Sequence, residues 1–439
     1  MNKYMKLRLN QTGFTLVELM VAMVIGLIIL LGLISMFTAS SSLNRAQSGL
    51  AVLQENGRYA ITRMKQDLES AGRKHCATLS MPDKFTTKWN QGYEMSAWRV
   101  SNTVIFNNGL PAVGDIELDD LGDVDQLPDV IDISASTMYP LDPSYFIRGF
   151  ECNAGACLPA LTTPGTGTGL IMPAIGLTDG LRADNTDILS VRYLRSGGNR
   201  VTAIAGTNMT LADTNPFILG DAIVADCDTT YVTPATWGAN AVNSSTPLPA
   251  FNLNGDTRVY HLDQEMANVT YYVGINNDVN SSGRMISSLF RAENGVAQQL
   301  VEGVERFDVF YLTQLQTGHV VRLTADQVNN IQDGGDADGD DAVDTIQGCI
   351  LPPTTDYLGV NANLANGLGC LWRSIYAIEV HLLMNTVSNS AATATEPYTY
   401  SPDGLTPQTP GTTMPSGLSA ERMYRREFTA IVPIRSYTL

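Results

Sequence analysis

The stretch Gly13-Phe14-Thr15-Leu16-Val17-Glu18 decides the fold, because it joins a basic leader to a long apolar segment. The leader carries Lys3, Lys6 and Arg8, whereas residues 19–37 contain no charged side chain. A helical run of about 20 apolar residues is long enough to cross a bilayer. Glu18 stands directly before this run. A lone carboxylate is costly in hydrocarbon, so its position predicts a partner for Glu18.

The junction resembles the class III signal of type IV prepilins. The resemblance implies that prepilin peptidase cuts between Gly13 and Phe14 and removes residues 1–13. It also implies N-methylation of the new α-amine of Phe14. A residue without a side chain before the cut allows close approach of the backbone, which explains the glycine.

The same resemblance leaves the apolar helix at the new N-terminus and makes Glu18 a subunit-docking residue. The Phe14 amine of a neighbouring subunit is the expected partner, because a buried ion pair is tolerable where a single buried charge is not. Three alternatives stay open for this segment. The segment could serve as a simple membrane anchor or as a secretory signal cleaved after residue 37. In the third alternative, Glu18 is an isolated, protonated acid in the membrane.

The charge balance restricts the partners. The formal net charge is −17, and removal of the three cations of the leader makes it more negative. This charge argues against nucleic acid or anionic lipid as a broad electrostatic partner, although a local basic patch stays open. The sequence also has no P-loop, nucleophile elbow, His-Glu-x-x-His motif or dinucleotide fingerprint. We therefore expect a protein that is not an enzyme.

The cysteines predict disulfides. Their number is six, no pair has the C-x-x-C spacing, and an even count on an exported chain favours an oxidised framework. The predicted pairs are Cys152–Cys157 across a small loop, Cys349–Cys370, and Cys76–Cys227 by elimination. Reduced, buried cysteines are the alternative.

The helical pattern continues beyond the apolar run. Leu43, Leu50, Gly57, Met64 and Ala71 recur every seven residues, which indicates an amphipathic helix with one face to bury. Most charged residues of this region, Asp67 among them, are expected outside that face. The prediction is a helix over residues 14–75, roughly 90 Å long, with residues 14–37 in the membrane or the filament core.

From residue 76 onward the pattern is that of β-structure. Alternation of apolar and polar residues predicts an antiparallel sheet with one face covered by the helix. The fold class is therefore α+β and pilin-like, with a β-rich head over residues 76–439. A simple pilin head needs far fewer residues, so a large β-rich insertion is expected around residues 80–260. The segments 162–169, 233–249 and 385–417 are rich in Gly, Thr, Pro and Asn and predict surface loops. Predicted strands cover residues 103–106, 130–134, 187–194, 222–225, 269–275, 304–312, 374–383 and 427–434.

Several head segments resemble PilW-type minor pilins, and they lie in both halves of the chain. The resemblance implies a minor pilin that helps to prime pilus assembly at or near the filament tip. The implied partners are other minor pilins, the major pilin, the inner-membrane assembly platform, prepilin peptidase and a tip adhesin. The implied location is the inner membrane with the head in the periplasm, and then the pilus surface. The similar segments are residues 185–193, 219–227, 300–311, 375–383 and 424–435.

An acidic loop at residues 333–344 predicts a calcium site. Asp336, Asp338 and Asp340 have the spacing of positions 1, 3 and 5 of an EF-hand-like loop, and Asp344 falls at position 9. Two positions depart from the motif, because position 6 is Asp341 and position 12 is Gln347. A solvated acidic loop without calcium is the alternative.

Two other functions share the same anchor. One is a minor pseudopilin of type II secretion. The other is a tip binding module whose large head serves adhesion or DNA uptake. The head segments favour the minor pilin over both.

Overall fold

The structure is a computed structural model. It describes residues 15–73, 147–153, 156–158, 173–195, 197–226, 230–245, 248, 251, 253, 256–280, 283–293, 296–314, 320–330, 372, 375–388, 397–420 and 422–434. Residues 1–14 lie outside these ranges, and so do the predicted strands at 103–106 and 130–134.

The N-terminal element is one long helix. Helix α1 spans Leu16–Ser70, inside the predicted range, and ends where Gly72 adopts a positive φ of 72°. Its second half buries the predicted stripe through Leu53, Gly57, Ala60 and Met64. Leu43 is 60% exposed, so contact with the head begins only after it.

The part of the head that the structure describes contains two open antiparallel sheets. The six-stranded sheet has the order β12-β11-β10-β3-β1-β2, and the four-stranded sheet has the order β14-β13-β15-β16. Helix α1 packs on both, with most of its contacts on β16, β15, β12 and β3. These elements confirm the α+β, pilin-like fold class. The strands are β1 (Ile147–Asn153), β2 (Ala156–Leu158), β3 (Ile188–Leu194), β10 (Met266–Val279), β11 (Met285–Glu293), β12 (Val296–Glu302), β13 (Val304–Gln314), β14 (Val320–Leu323), β15 (Ala377–Asn385) and β16 (Arg425–Pro433).

A closed barrel is inserted between two neighbouring strands of the larger sheet. Strands β3 and β10 pair directly, and residues 199–261 leave the sheet between them and return. The barrel order is β4-β5-β8-β7-β6-β9, and its own apolar cluster includes Val201, Met209, Trp237 and Val259. The barrel strands are β4 (Asn199–Ala205), β5 (Asn208–Leu211), β6 (Leu219–Ala225), β7 (Thr230–Gly238), β8 (Ala241–Ser244) and β9 (Arg258–His261).

The barrel corrects one loop prediction. Residues 233–249 were expected to form a surface loop, but β7 and β8 occupy most of this segment. The loop prediction rested on amino-acid composition, including Pro234, because proline usually interrupts a strand. Pairing of β7 with β8 starts only at Ala235, after the proline, so the missing N–H of Pro234 costs no hydrogen bond to β8.

Within the described residues, three short helices connect the strands. Helix α2 (Leu262–Glu265) follows the barrel, α3 (Ala325–Asn330) follows β14, and α4 (Pro410–Thr413) lies between β15 and β16. The connection from β15 to β16 was expected as a surface loop, yet Tyr400 and Thr413 within it are almost fully buried.

One core joins the helix to both sheets. It combines Leu53 and Met64 of α1 with Tyr271 of the six-stranded sheet and Phe307 and Val380 of the four-stranded sheet. The opposite face of the six-stranded sheet has a separate cluster that includes Phe150, Ile188 and Tyr272. The head therefore packs α1 against both of its sheets.

Candidate functional site: the N-terminal helix and its attachment to the head

The start of α1 is closed by a reciprocal cap. The Glu18 N–H donates to the Thr15 hydroxyl oxygen at 3.3 Å, and the Thr15 N–H donates to Glu18 Oε2 at 3.3 Å. This capping box satisfies two N–H groups that a helix leaves unpaired at its start. The positive end of the helix dipole also favours the carboxylate there. Glu18 thus serves its own helix in the single chain, and its pairing with a neighbouring subunit stays a prediction.

The first half of α1 lies apart from the described residues of the head. Its large apolar side chains between Leu16 and Phe37 are exposed, from 51% at Ile34 to 76% at Leu16. Within the described residues, α1 alone is long and apolar enough to cross a membrane, with a mean hydropathy of 2.8 in its most apolar window. An apolar surface of this extent requires lipid or other apolar helices around it.

A buried carboxylate attaches the second half of α1 to the six-stranded sheet. Asp67 is 2% exposed and accepts hydrogen bonds from Tyr193 at 2.7 Å, from Tyr271, and from Arg291 Nε at 2.6 Å. These three donors come from β3, β10 and β11. Arg63 approaches the same carboxylate at 3.9 Å from one turn earlier in α1. The Asp67 cluster therefore ties one helical residue to three adjacent strands.

The electrostatics of the Asp67 cluster favour the ionised acid. Burial raises the pKa of Asp67, but the hydrogen bonds from Arg291, Tyr271 and Tyr193 outweigh it and hold the pKa below its usual value. Burial and Asp67 together raise the pKa of Tyr193 to about 12. Glu293 pairs with the far side of Arg291 and with Arg195, so the guanidinium lies between two carboxylates.

Asp67 was expected outside the buried face, and that expectation is wrong. Its spacing contained the signal, because residues 57, 60, 64, 67 and 71 alternate steps of three and four along one helical stripe. A carboxylate at a stripe position predicts a buried polar partner rather than solvent.

A second buried ion pair secures the connection before β16. Glu305 of β13 and Arg425 of β16 are both fully buried and pair at 2.9 Å. Glu305 also accepts from Asn385 at 2.8 Å and from Thr413 at 2.9 Å. Arg425 donates to the carbonyls of Met423 and Ala420. Because every partner of Glu305 comes from a different element, this pair fixes the path of residues 410–425.

The disulfide prediction is confirmed for one pair. Cys152 and Cys157 are bonded and lie opposite each other in the β1–β2 hairpin. The buried Asp187 accepts from the backbone N–H groups of Cys152 at 3.2 Å and Val309 at 2.9 Å. Burial and the nearby Asp308 raise the pKa of Asp187. The hairpin is thereby joined to the four-stranded sheet.

Several predicted site residues lie outside the described residues. They are Gly13 and Phe14 of the cleavage site, the calcium residues Asp336, Asp338, Asp340 and Asp344, and Cys76, Cys227, Cys349 and Cys370. The described part of the chain holds no group of three or more His, Cys, Asp or Glu side chains arranged to bind a metal ion.

Two protein families match parts of the chain. Residues 8–34 match the family described as "Prokaryotic N-terminal methylation motif". Residues 270–436 match the family described as "Type IV Pilus-assembly protein W". No curated protein and no solved structure matches the chain.

The matched ranges coincide with structural units. The first contains the Thr15–Glu18 cap and most of the exposed apolar half of α1. The second contains nearly all of β10, strands β11–β16 and the Glu305–Arg425 pair, while the barrel lies outside both. The methylation motif implies processing by prepilin peptidase, and the apolar helix indicates membrane anchoring. The signal, the helix and the matching C-terminal region together support a PilW-family type IV pilin.

Proposed function

We propose that this pilin is a minor subunit that primes pilus assembly at or near the filament tip. The observation that carries the proposal is the uncovered apolar half of α1, which starts at a carboxylate and is held to a large head. A helix of this kind is suited to pack among the helices of other pilins. The match to a pilus-assembly family favours this role over that of a secretion pseudopilin.

The proposed partners follow from the same surfaces. Other minor pilins and the major pilin pack against residues 16–37, and the Phe14 amine of a neighbour pairs with Glu18. The assembly platform receives the membrane-anchored subunit with its head in the periplasm, before it moves to the pilus surface. A tip adhesin is a further proposed partner. The role is structural, without catalysis.

A second candidate function is a binding module at the tip. The barrel favours it, because its apolar cluster is separate from the core that holds α1. Binding of the purified full chain to host or abiotic surfaces, compared with a chain lacking residues 199–261, tests this candidate. Equal binding of both chains contradicts a role of the barrel in adhesion.

Substitutions at Glu18 test the docking step. We expect Glu18→Val and Glu18→Gln both to weaken co-purification with the other minor pilins, by about tenfold or more, since each removes a buried charge from a pair. Glu18→Gln keeps an acceptor for the Thr15 cap, so it separates charge pairing from helix capping. Glu55→Gln, on the exposed face of the same helix, is the matched control. Wild-type recovery of partners by Glu18→Gln contradicts the ion pair, and wild-type recovery by both variants contradicts docking through Glu18.

The cleavage site has its own test. We expect Gly13→Glu to block removal of residues 1–13 and to abolish incorporation, because a side chain at this position obstructs the approach of the peptidase. Immunoblots of membrane fractions distinguish the precursor from the mature chain. Normal maturation of the variant contradicts cleavage after Gly13.

A further inference from the structure

The outer face of the four-stranded sheet carries a cluster of charged side chains. Phe307, Val309 and Tyr311 of β13 point into the core, so the alternate residues of β13 face outward. Asp308 and Phe310 are on this outer face, opposite His381 and Glu379 of β15 respectively. We call the group His381, Glu379, Glu427 and Arg322 the His381 cluster.

His381 contacts a carboxylate with each ring nitrogen. Nδ1 lies 2.6 Å from Glu427 Oε1, and Nε2 lies 2.6 Å from Glu379 Oε1, with the side chain 10% exposed. A neutral imidazole has one N–H, so it can donate to only one of these acceptors. Both contacts are hydrogen bonds only when the ring is protonated. Glu379 is on the same strand as His381, whereas Glu427 is on the neighbouring β16.

The other described elements around His381 supply charged groups of both signs. Arg322 of β14 donates to both oxygens of Glu379, at 2.8 and 3.1 Å, and its Nη2 is 3.2 Å from His381 Nε2. The guanidinium also stacks over Phe310 at 3.4 Å. Asp308 of β13 is already satisfied, because it accepts from Arg306 and from Tyr400, each at 2.6 Å.

A segment of chain crosses this cluster. Residues 397–409, which we call the strap, are closed by mutual hydrogen bonds between the backbones of Tyr400 and Gln408. The Pro402 carbonyl accepts from Arg322 Nη2 at 2.7 Å, and the Tyr400 hydroxyl binds Asp308. The Asp403 carboxylate accepts from the N–H groups of Leu405 and Thr406 in its own turn. Arg322 thus connects the strap to Glu379, and Glu379 connects to His381.

We propose that His381 is a pH-dependent latch that holds strand β16 and the strap to the four-stranded sheet. In its protonated form the ring bridges β15 and β16 and, through Glu379 and Arg322, supports the strap. Loss of the proton leaves an acceptor nitrogen facing a carboxylate oxygen at 2.6 Å. That contact becomes repulsive. At Nδ1 the repulsion weakens the link to Glu427 and loosens β16, and at Nε2 it weakens the link through Glu379 and Arg322 and loosens the strap.

The pH window follows from the pKa values of His381 and Glu379. Burial lowers the pKa of His381, but hydrogen bonds with Glu427 and Glu379 outweigh it and hold the pKa above its usual 6.5. The stability that protonated His381 contributes to the fold is therefore fully present below pH 6.5, and it is lost as the pH rises through the raised pKa. Burial raises the pKa of Glu379, but Arg322 and His381 outweigh it and lower the pKa. The stability that ionised Glu379 contributes is lost only as the pH falls through its lowered pKa. The latch is therefore closed between the pKa of Glu379 and the pKa of His381.

Histidine-selective NMR on the full mature chain in detergent micelles measures the titration. The chain has only four histidines, and the spectrum of His381→Gln assigns the signal. We expect His381 to titrate above 6.5 and Glu427→Gln to lower its pKa. If the pKa falls by about one, the preference for the protonated ring falls about tenfold. A wild-type pKa at or below 6.5, or no change in Glu427→Gln, overturns the proposal.

Hydrogen exchange on the same sample measures the loosening. We expect amides of β16 and the strap to exchange faster as the pH rises through the His381 pKa, after correction for intrinsic exchange. This dependence should disappear in His381→Gln and persist in His261→Gln, which changes a buried histidine of the barrel. Corrected exchange that is independent of pH, or a dependence that survives in His381→Gln, overturns the latch.

Discussion

Single side chains decide how the helix is held, and Asp67 is the clearest case. A carboxylate in the middle of an apolar stripe is tolerated only because two hydroxyls and a guanidinium surround it. Its partners come from three adjacent strands, so the side chain fixes both the rotation of α1 and its position along the sheet. Apolar contacts alone, which have no direction, would allow the helix to slide or rotate.

Replacing Asp67 by Asn tests this role. We expect Asp67→Asn to lower the free energy of unfolding by about 3 kcal/mol, because Arg291 loses the buried negative charge with which it pairs. The difference between the variant and the wild type should shrink at low pH. The pKa of Asp67 is lowered in the folded chain, so ionised Asp67 stabilises the fold above its unfolded pKa, and this stabilisation is lost as the pH falls through the folded pKa. Urea titrations of the full chain in detergent, at two pH values, measure both expectations.

The control for Asp67 is on the same helix. Glu55→Gln changes an exposed carboxylate and should alter the free energy of unfolding by less than about 0.5 kcal/mol. If Asp67→Asn is as mild as this control, the Asp67 cluster does not hold the helix.

Helix α1 has two halves with different requirements. The first half exposes its apolar side chains for lipid or other helices, and the second half packs against rigid sheets. The surroundings of one glycine in each half show this difference. Gly26 has no atom near the position of an added Cβ, whereas a Cβ at Gly57 would overlap the ring of Phe428 on β16.

This contrast predicts different effects of glycine-to-alanine substitution at the two positions. Alanine favours a helix by up to about 1 kcal/mol over glycine, but overpacking costs about 1–3 kcal/mol. We expect Gly57→Ala to destabilise the chain by about 1 kcal/mol and Gly26→Ala to leave the stability of the head unchanged. Thermal unfolding of both variants, followed by tyrosine fluorescence, measures the difference.

A second substitution separates packing from helix propensity. Phe428→Leu makes room for the new methyl group, so the pair Gly57→Ala with Phe428→Leu should lose less stability than the sum of the two single changes. Additive losses would assign the effect of Gly57→Ala to something other than contact with β16.

At the scale of the whole molecule, the barrel is a unit inserted into the head, with an apolar cluster of its own. It enters and leaves between the paired strands β3 and β10, and the Arg195 N–H donates to the Glu265 carbonyl beside the junction. Its apolar cluster is separate from the core that holds α1.

Removal of the barrel tests this independence. We expect a chain in which residues 199–261 are replaced by a short Gly-Ser turn to keep a folded head, with its melting temperature within roughly 5 °C of the wild type. Size-exclusion chromatography and thermal unfolding in detergent check the outcome. An aggregated head that lacks a cooperative transition contradicts the division into two units.

Local patterns in the sequence were enough to predict the secondary structure near both ends of the chain. The charge-free run after Glu18 dictates a helix, because backbone groups in an apolar environment must pair within the segment. The seven-residue spacing around Gly57 indicated the buried face. Alternation of side chains predicted β15 and β16, since successive residues of a strand face opposite ways.

Only the tertiary structure decided how polar residues are used. Asp67, Glu305 and His381 each contact partners far away along the chain, and no local pattern specifies such pairings. The barrel was likewise predicted only as an insertion of unspecified form, because closure depends on which short strands pair. Local sequence determines which segments are helical or extended, whereas long-range hydrogen bonds and packing decide which segments meet and which buried charges find a partner.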